Sequence, residues 1–579
     1  MNILENQQLA ESVDGIYIDL EAQILQNIAR HLQGWEQPID TDWWLLQKLA
    51  EIGKLNQENI RLIAKMSGLS QTAAERMLND AAQDAINNME PGLRYMARCG
   101  LAGEAVSADK SKNVKRAVNG FRKQAKDTLN MCNTNMLYKA SEKYRGLVQN
   151  IAREAWNILN SGAGGVVSGI EARQQAVRRC IRQLNDKGIP AFVDKRGREW
   201  TPEAYVNMAM RNTARSTAEE VQDARIRDAG CNLIQIDSHS GARPKCAKDQ
   251  GKIFDLNNGS GYTEDLHGKK IRYYPWKSSS YGEPDGILGI NCRHHKWPFI
   301  PGVKVQRYFP TEDMDANDKL YKQTQVQRAL ERDIRKQKRE CMMLDIAGDQ
   351  DGFEEAAVKL KSKEAQLKDY VDKNSQLHRR RDREQIIGFD KTVSAKAVAA
   401  NKHSIRIASE QSQYREYLQS LKDGKVTLRR EQKKLLEQVP EVGNWTKLRK
   451  KQVSVKDLAA LTASTGHEFA VFTGKSSKIL IHGTSKSWHI PHDAWEVIKS
   501  NQYEWTAHSH PTMTKITVSP EDRETLKLFT WQEKSTIIDL KGNTKEFTAS
   551  TQDWINEILG VVDYDKREKS NKYSWPDTD

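Results

Sequence analysis

The chain has 579 residues, enough for several domains, and combines 38% hydrophobic with 29% charged residues. It has no apolar run of the roughly 18–20 residues that a membrane-spanning helix requires, and its first residues show neither the basic start nor the apolar core of a secretion signal. Its seven scattered cysteines offer no disulfide framework, so composition excludes a membrane-spanning protein and a secreted disulfide scaffold.

The N-terminal region is predicted to be almost entirely helical. Apolar residues recur every three or four positions through residues 16–160, and Ser70 is expected to cap a new helix within that stretch. After a glycine-rich break, the helical pattern resumes at residues 170–184 and again at 201–229. We therefore assign residues 1–230 to one helical region.

Residues 231–302 change character, because glycine, proline, serine and aromatic residues cluster around one predicted strand, Leu233–Asp237. Four side chains of this unit are of the types that bind zinc: His239, Cys246, Cys292 and His294. Their spacing differs from the paired C-x2-C pattern of many zinc modules. Buried thiols beside histidines that hydrogen-bond loop carbonyls therefore remain the alternative.

The same unit contains an ordered series of unusual segments. Between His239 and Gly302 the chain reads H-S-G-A-R-P, Q-G-K, G-I-N-C-R-H and P-F-I-P-G. This series resembles the phage minor capsid protein 2 family, relatives of the MuF-like head morphogenesis proteins, over about residues 10–305. The resemblance implies a minor capsid protein in the virion head near the portal, and in the host cytoplasm during assembly. It also implies the portal protein and the capsid as partners, and release of the protein together with phage DNA.

The positive charge of the chain is concentrated in one segment. The net charge is +13, and residues 303–460 hold 35 Lys and Arg against 25 Asp and Glu, including the run Arg379-Arg380-Arg381-Asp382-Arg383. Helical spacing between residues 318 and 438, interrupted near Gly348 and Gly388, predicts a basic helical region over residues 303–455. Such a surface can neutralise DNA phosphates without reading base sequence, and a solvated, ion-paired helix face is the alternative.

The remaining residues are predicted to form an α/β domain at 456–562, after a linker at Pro440–Lys451 and before a polar tail at 563–579. The predicted strands are Glu468–Phe472, Lys478–His482, Trp505–Ser509 and Ser535–Leu540, and the predicted helices are His492–Lys499 and Ser519–Phe529. The fold class is thus multidomain α+β: a mostly helical N-terminal half, a small loop-rich α/β unit, long basic helices and a C-terminal α/β domain.

A possible zinc centre stands out in this last domain. His508 and His510 are separated by one residue and point to the same side of a predicted strand, and Asp522 follows one loop later. Two histidines and one carboxylate can hold zinc with a water in the fourth position. Glu468, on the first predicted strand, is the candidate general base for that water.

The order of these residues is similar to that of the JAMM/MPN metallopeptidase fold. The resemblance implies zinc binding by His508, His510 and Asp522, a base role for Glu468 and oxyanion support by Ser519. A helix start without metal equally explains Ser519 as N-cap and Asp522 in the first turn. Whether the domain is an enzyme stays open at this stage. A delivered effector, such as a nuclease, is the further alternative.

Overall fold

The computed structural model describes residues 3–35, 41–98, 100, 107–160, 169–228, 230–290, 292–512 and 516–549. It divides into two compact units, residues 1–154 with 173–401 and residues 155–172 with 402–579. The predicted polar tail at 563–579 lies outside the described residues. The described helices are α1 (Ile3–His31), α2 (Thr41–Ala50), α3 (Ile52–Arg98), α4 (Lys112–Asn160), α5 (Gly169–Lys187), α6 (Pro202–Asp228), α7 (Pro244–Ala247), α8 (Met314–Ala347), α9 (Gln350–Asp372), α10 (Lys391–Lys422), α11 (Arg430–Gln438), α12 (Val455–Thr465), α13 (His492–Ser500) and α14 (Pro520–Lys527).

The described strands form one two-stranded, one five-stranded and one six-stranded sheet. They are β1 (Phe192–Val193), β2 (Glu199–Trp200), β3 (Leu233–Ile236), β4 (Ile253–Asp255), β5 (Gly261–Glu264), β6 (Lys270–Pro275), β7 (Lys296–Pro298), β8 (Trp445–Arg449), β9 (Phe469–Thr473), β10 (Ser477–His482), β11 (Glu504–Ser509), β12 (Lys534–Ile538) and β13 (Thr544–Thr548). The multidomain α+β fold class predicted from the sequence is confirmed.

Long helices build the first unit. Helix α1 packs against α3, α6 and α8, because each of these helices presents an apolar stripe at helical spacing. The prediction that Ser70 caps a new helix is wrong, since α3 runs without interruption through it. The Ser70 hydroxyl instead donates to the carbonyl oxygen of Ser67 at 3.0 Å, which satisfies it inside the helix.

The loop-rich unit is built on the five-stranded sheet, whose strand order is β5-β6-β4-β3-β7. All neighbouring strands are antiparallel except β4 and β6. Ile234, Ile236 and Phe254 of this sheet share a buried cluster with Met89 of α3 and Ile226 of α6. The sheet therefore rests on the helices that precede it, and the connections between its strands carry the cysteines and histidines.

Helices α8 and α9 form a helical hairpin within the region predicted to be basic and helical. Gly348 ends α8 in the left-handed conformation at φ +78°, which glycine adopts without steric cost. Asp349 then begins α9 by accepting a hydrogen bond from the amide of Gly352 at 3.1 Å. The buried carboxylate of Asp349 is also held by Arg178 of α5 at 2.6 and 2.7 Å, so this tight turn is fixed at the core of the first unit.

The six-stranded sheet of the second unit has the order β13-β12-β11-β9-β10-β8. Only β11 and β12 run parallel among its neighbouring strands. Successive side chains of β9 point to opposite faces, so that Phe469 and Val471 pack against α12 while Ala470 and Phe472 join the cluster of α13 and α14. Both faces are covered, which leaves the ends of the strands as the accessible positions for a site.

Two assignments before this sheet differ from the sequence-based prediction. Residues Pro440–Lys451 were expected to form a linker, but β8 lies within them and pairs with β10 along its whole length. Helix α12 was not predicted, although Ser454 and Asp457 form a reciprocal capping box at its start. The four predicted strands and two predicted helices of the domain are confirmed. No helix within the described residues combines the length and apolarity that crossing a membrane requires.

Candidate metal centres

Strand β11 places His508 and His510 at its C-terminal end, in the interior of the six-stranded sheet. His508 is its penultimate residue and His510 follows its end, where the His510 amide still donates to the carbonyl of Ile538 at 2.9 Å. Because side chains alternate along a strand, the two imidazoles share one face. Their Nε2 atoms lie 2.8 Å apart, so the pairing predicted from the H-x-H spacing is present.

Asp522 completes the group from the first turn of α14. Its Oδ1 lies 2.9 Å from Nε2 of His508, and its Oδ2 lies 3.6 Å from Nε2 of His510. Ligand atoms about 2.0–2.2 Å from a tetrahedral zinc lie about 3.3–3.5 Å from one another. The separations of 2.8 and 2.9 Å are hydrogen-bond distances about 0.5 Å shorter than that spacing, and the three ligand atoms all lie within 4.8 Å of one another, so one zinc ion would reach all three after a small outward shift of the side chains.

Asp522 also caps its own helix. Its Oδ2 accepts a hydrogen bond from the amide of Ser519, and the Ser519 Oγ accepts one from the amide of Asp522, both at 3.0 Å. The metal interpretation and the capping interpretation of these residues are geometrically compatible, since the other oxygen of Asp522, Oδ1, faces His508. The described contacts of Ser519 are those of a helix cap, and its oxyanion role stays a prediction.

Glu468 lies across the sheet from His510. Strand β9 pairs with β11 so that Ala470 faces His508, and continuing that register by two residues places Glu468 opposite His510 on the same face. The Glu468 side chain is almost fully buried. The candidate base and the two histidines are therefore brought together by strand pairing, although they are 40 and 42 residues apart in sequence.

The protonation states of these groups follow from burial and from their mutual contacts. Burial lowers the pKa of His508, so its imidazole is neutral, as a metal ligand must be. Burial opposes the charge of Asp522, but hydrogen bonds from His508 and His510 outweigh it and hold the pKa of this carboxyl well below its usual range. Burial raises the pKa of Glu468 to about 7, with Asp522 adding to the effect and His510 opposing it.

Aromatic rings enclose His508, and sequence reasoning did not identify them. The ring centroids of Trp505, Trp488 and Phe547 lie 5.0, 5.9 and 6.1 Å from that of His508. These rings exclude water from one side of the site. The Nδ1 atom of His508 is buried and has no hydrogen-bond partner among the described residues, whereas a zinc-bound imidazole usually donates its other N–H. This atom and the short separations of the ligand atoms are the two departures from a formed zinc site.

The Cys/His unit holds a second candidate group. The Sγ atoms of Cys246 and Cys292 lie 3.8 Å apart, and Cys292 Sγ lies 3.3 Å from Nδ1 of His294. Two thiolates about 2.3 Å from a tetrahedral zinc would lie about 3.8 Å apart. Contacts from Cys246 and His294 lower the pKa of Cys292, which favours the thiolate that zinc requires. These three residues fit a zinc ion.

His239, the fourth residue predicted for this group, lies beside it. Its ring stacks on His294 with the centroids 4.5 Å apart, and its Nδ1 lies 3.0 Å from the carbonyl oxygen of Ser240. That contact matches the alternative of histidines bonded to loop carbonyls. Cys246 also belongs to the apolar core and donates weakly to the carbonyl of Gly286 at 3.4 Å. Both interpretations of this unit thus have contacts in their favour.

Two arginines of the predicted run form local ion pairs. Arg379 makes a bidentate ion pair with Glu384 at 2.7 Å, and Arg380 makes another with Asp382. Exposed basic residues also lie farther along, on α10, α11 and the residues between them, where Lys402, Arg406, Arg415, Lys425, Arg429, Arg430, Lys433 and Lys434 face solvent.

Comparison with known proteins gives a family match and two curated relatives. A family model described as phage minor capsid protein 2 matches residues 4–372. A structural protein of Lactococcus phage LL-H is 24% identical over 345 residues, which are 59% of this chain and 88% of that protein. A structural protein of Lactococcus phage mv4 is 30% identical over 108 residues, which are 18% of this chain and 85% of that protein. No solved structure gives a significant match.

Proposed function

Because the chain belongs to the phage minor capsid protein 2 family, and is thus a structural protein of the virion, we propose that residues 1–302 attach it to the portal of a tailed-phage head. The observation that supports this proposal is the position in the chain at which the family match ends. It stops at residue 372, the last residue of α9. The matched region thus spans the long helices and the Cys/His unit, and the domain that bears the histidine site lies beyond it.

Exposed apolar side chains on the N-terminal helices support a protein contact there. Trp43 and Leu46 lie one turn apart on α2 and are 64% and 60% exposed. Large apolar side chains that share a helix face and remain in solvent are typical of binding surfaces. We propose that this face of α2 is part of the portal contact.

Copurification with the portal protein tests the attachment. The full chain should be retained by tagged portal oligomers, and the double variant Trp43→Ala/Leu46→Ala should be retained at least tenfold less. Tyr262→Ala serves as the matched control, because Tyr262 is equally exposed but lies on β5. Equal retention of the double variant and the wild type would show that α2 is not part of the contact. No retention of either would show that the portal protein is not the partner.

We propose a JAMM-like zinc hydrolase activity for the C-terminal domain, carried by the convergence of His508, His510 and Asp522 beside Glu468. A zinc ion held by the first three would supply a water with its pKa lowered to about 7. Glu468, with a pKa of about 7, can take and return a proton near neutral pH. The aromatic wall keeps bulk water from His508, and the Ser519 hydroxyl is the donor we propose for a developing oxyanion.

Zinc content of the full chain tests this centre separately from the Cys/His group. His510→Ala should lower the bound zinc by one equivalent per chain, and Cys292→Ser should lower it by one independently if the second group is also a zinc site. Identical zinc content in the wild type and His510→Ala would exclude the hydrolase.

We also propose weak DNA contact by residues 303–460. The exposed basic residues of α10 and α11 support it, whereas the internally paired Arg379 and Arg380 do not. Binding of this type should be independent of base sequence.

A further inference from the structure

Cys246, Cys292 and His294 of the first unit are not used by any of the functions proposed above. Cys246 lies on the four-residue helix α7, and the other two residues follow a glycine-containing turn that begins near Pro284. The G-I-N-C-R-H segment of the family resemblance ends in this group. The contacts around the two sulfur atoms therefore bear on why these residue types occur together.

The sulfur of Cys292 accepts hydrogen bonds from two backbone amides. The amide nitrogen of Leu288 lies 3.2 Å from its Sγ, and that of His294 lies 3.4 Å from it. A neutral thiol is only a weak acceptor, whereas hydrogen bonds to a charged acceptor are about twice as strong as neutral ones. The backbone around Cys292 thus favours a thiolate, which is the form of cysteine that binds metal ions.

Leu288 adopts a backbone conformation that leucine ordinarily avoids. Its φ is +57°, in the left-handed region that favours glycine. The neighbouring Gly286 has no room for a side chain, since a Cβ there would clash with the carbonyl oxygen of Ser280. The turn therefore holds Leu288 in an unfavourable conformation while directing its amide at the sulfur of Cys292. Such conformations persist where the surrounding structure fixes them, and they are common at binding sites.

Hydrogen bonds fix the distance between this turn and α7. The buried Ser280 donates its hydroxyl to Oδ2 of Asp249 at 2.7 Å and accepts a hydrogen bond from the amide of Ile287 at 2.8 Å. At the surface, Lys245 of α7 pairs with Glu283 at 2.7 Å. The separation of 3.8 Å between the two cysteine sulfurs is thus set by the fold, and it matches the spacing of two thiolates on a tetrahedral zinc ion.

His294 supplies the third ligand atom. Its Nδ1 lies 3.3 Å from Sγ of Cys292, close to the roughly 3.5 Å expected between a nitrogen and a sulfur on one zinc ion. The ring is buried and stacks on His239, which orients it. Its Nε2 has no hydrogen-bond partner among the described residues, a departure from zinc-bound imidazoles that donate their other N–H.

All three ligand residues line a cavity of about 800 Å³. Among the described residues, the group has these three ligand atoms and no fourth. Structural zinc sites have four protein ligands, whereas sites with three keep one position for water or a substrate. His239 also lines the cavity, but its Nδ1 lies 3.0 Å from the carbonyl oxygen of Ser240 and its ring lies beside the group. The fourth position therefore faces the cavity.

We propose that Cys246, Cys292 and His294 bind one zinc ion, and that its fourth ligand is a water molecule that a small anion in the cavity can replace. Thiolates and imidazole are preferred ligands of zinc. Zinc binding removes the thiol proton that Cys246 directs at the carbonyl oxygen of Gly286 at 3.4 Å, which is a weak contact to lose. The proposal does not depend on the histidine site, whose ligand atoms are nitrogen and oxygen.

Cobalt substitution of the full chain tests the metal site. Metal-free protein loaded with Co²⁺ should show the intense near-ultraviolet absorption of sulfur-to-cobalt charge transfer, which nitrogen and oxygen ligands do not give. Cys246→Ser and Cys292→Ser should each lower this absorption by at least about half, because one of two thiolate ligands is lost. His510→Ala should leave it unchanged. Cys231→Ser is the matched control, because Cys231 is a cysteine of the same unit outside the group.

The wild-type spectrum decides the proposal even if a serine variant fails to fold. The proposal is overturned if the wild type shows no sulfur-to-cobalt absorption, or if Cys231→Ser lowers it as much as Cys292→Ser. A disulfide between Cys246 and Cys292 in protein purified without added oxidant would also overturn it.

Azide tests the open position of the metal. Added to the cobalt-loaded wild type, azide should shift the visible absorption bands, because the anion replaces the water on the metal. His239→Gln should keep its zinc and the azide response. Visible bands that do not respond to azide, or loss of one equivalent of zinc in His239→Gln, would show a closed site with four protein ligands and overturn the open position.

Discussion

Asp522 uses its two carboxylate oxygens for different contacts, one toward His508 and one toward the Ser519 amide. The sequence allowed both interpretations, metal ligand and helix cap, and the cap alone was sufficient to explain these residues. The geometry combines them, since a residue in the first turn of α14 can cap the helix and still reach the end of β11. Rigid placement of a ligand by a cap is one way to preorganise a metal site.

Substitutions at Asp522 and Ser519 separate the two contacts. Asp522→Asn should remove one equivalent of zinc, because an amide is a poor substitute for a carboxylate ligand. Ser519→Ala should retain the zinc and lower the stability of the domain by about 0.5–2 kcal/mol through the lost cap. Metal analysis and urea denaturation of both variants measure these effects. If Asp522→Asn has the same zinc content as the wild type, and Ser519→Ala is the more destabilised of the two variants, then Asp522 is only a helix-capping residue.

Glu468→Gln distinguishes a base from a ligand. The amide has nearly the shape of the carboxylate but cannot take a proton. The variant should therefore keep its zinc, and its rate of any peptide hydrolysis should fall at least a hundredfold. Comparison with His510→Ala, which should lose both zinc and hydrolysis, provides the control. Full activity in Glu468→Gln would assign the base elsewhere.

At the scale of elements, the strands β9 to β12 and the helices α13 and α14 were predicted, whereas β8 and α12 were not. The strands from β9 to β12 were found because each is a run of apolar or β-branched residues bounded by turns. Strand β8 was missed because its residues Trp445–Arg449 include two basic positions and lie at the sheet edge, where one side is exposed. The ligand spacing of the histidine site was readable from H-x-H, but its aromatic wall depends on strand pairing that no local pattern reveals.

The loop after β7 is held against α3 by an unusual lysine. The Lys304 side chain packs on Gly92, where a Cβ would come within 3.1 Å of its Cε, and its Nζ donates to the carbonyl of Pro298 at 3.2 Å. Burial, with a contribution from Arg307, lowers the pKa of Lys304 to about 8. Between pH 8 and the unfolded value of about 10.4, the unfolded chain binds more protons than the folded one, so this lysine makes stability rise with pH.

Lys304→Met should abolish that rise. Relative to the variant, the wild type should gain about 1–3 kcal/mol of unfolding free energy between pH 8 and pH 10, measured from urea denaturation midpoints. Lys270→Met is the control, because Lys270 is exposed on β6. Parallel pH profiles for the wild type and Lys304→Met would show that the ammonium group is solvated in the folded protein.

The basic helices make a prediction about salt. DNA binding by the full chain should weaken steeply between about 50 and 200 mM salt, and Arg430→Gln/Lys434→Gln should reduce the slope of log affinity against log salt by about 2. Arg380→Gln should leave the slope unchanged, because its guanidinium already pairs with Asp382. Absence of a DNA mobility shift at 50 mM salt would exclude DNA binding by α10 and α11, whose basic residues would then be solvated helix faces.

At the scale of the whole molecule, the account divides the chain into a family region and a domain beyond it. Residues 4–372 carry the family match. The end of α10, helix α11 and the six-stranded sheet share one core, in which Leu421 and Leu435 pack with Leu458 and Leu480. A deletion from residue 460 onward would remove residues that pack against these leucines. We therefore place the boundary for a test at Asn401, where the first compact unit ends.

The most direct test of this division is the protein content of purified phage particles that carry a chain ending at Asn401. The account predicts that the shortened chain is incorporated at the wild-type ratio to the major capsid protein, with heads assembled normally, because the family region makes the attachment. Quantitative mass spectrometry of the particles gives this ratio. Particles that lack the shortened chain, while it accumulates folded in the host, would contradict the account and assign the attachment to the C-terminal unit.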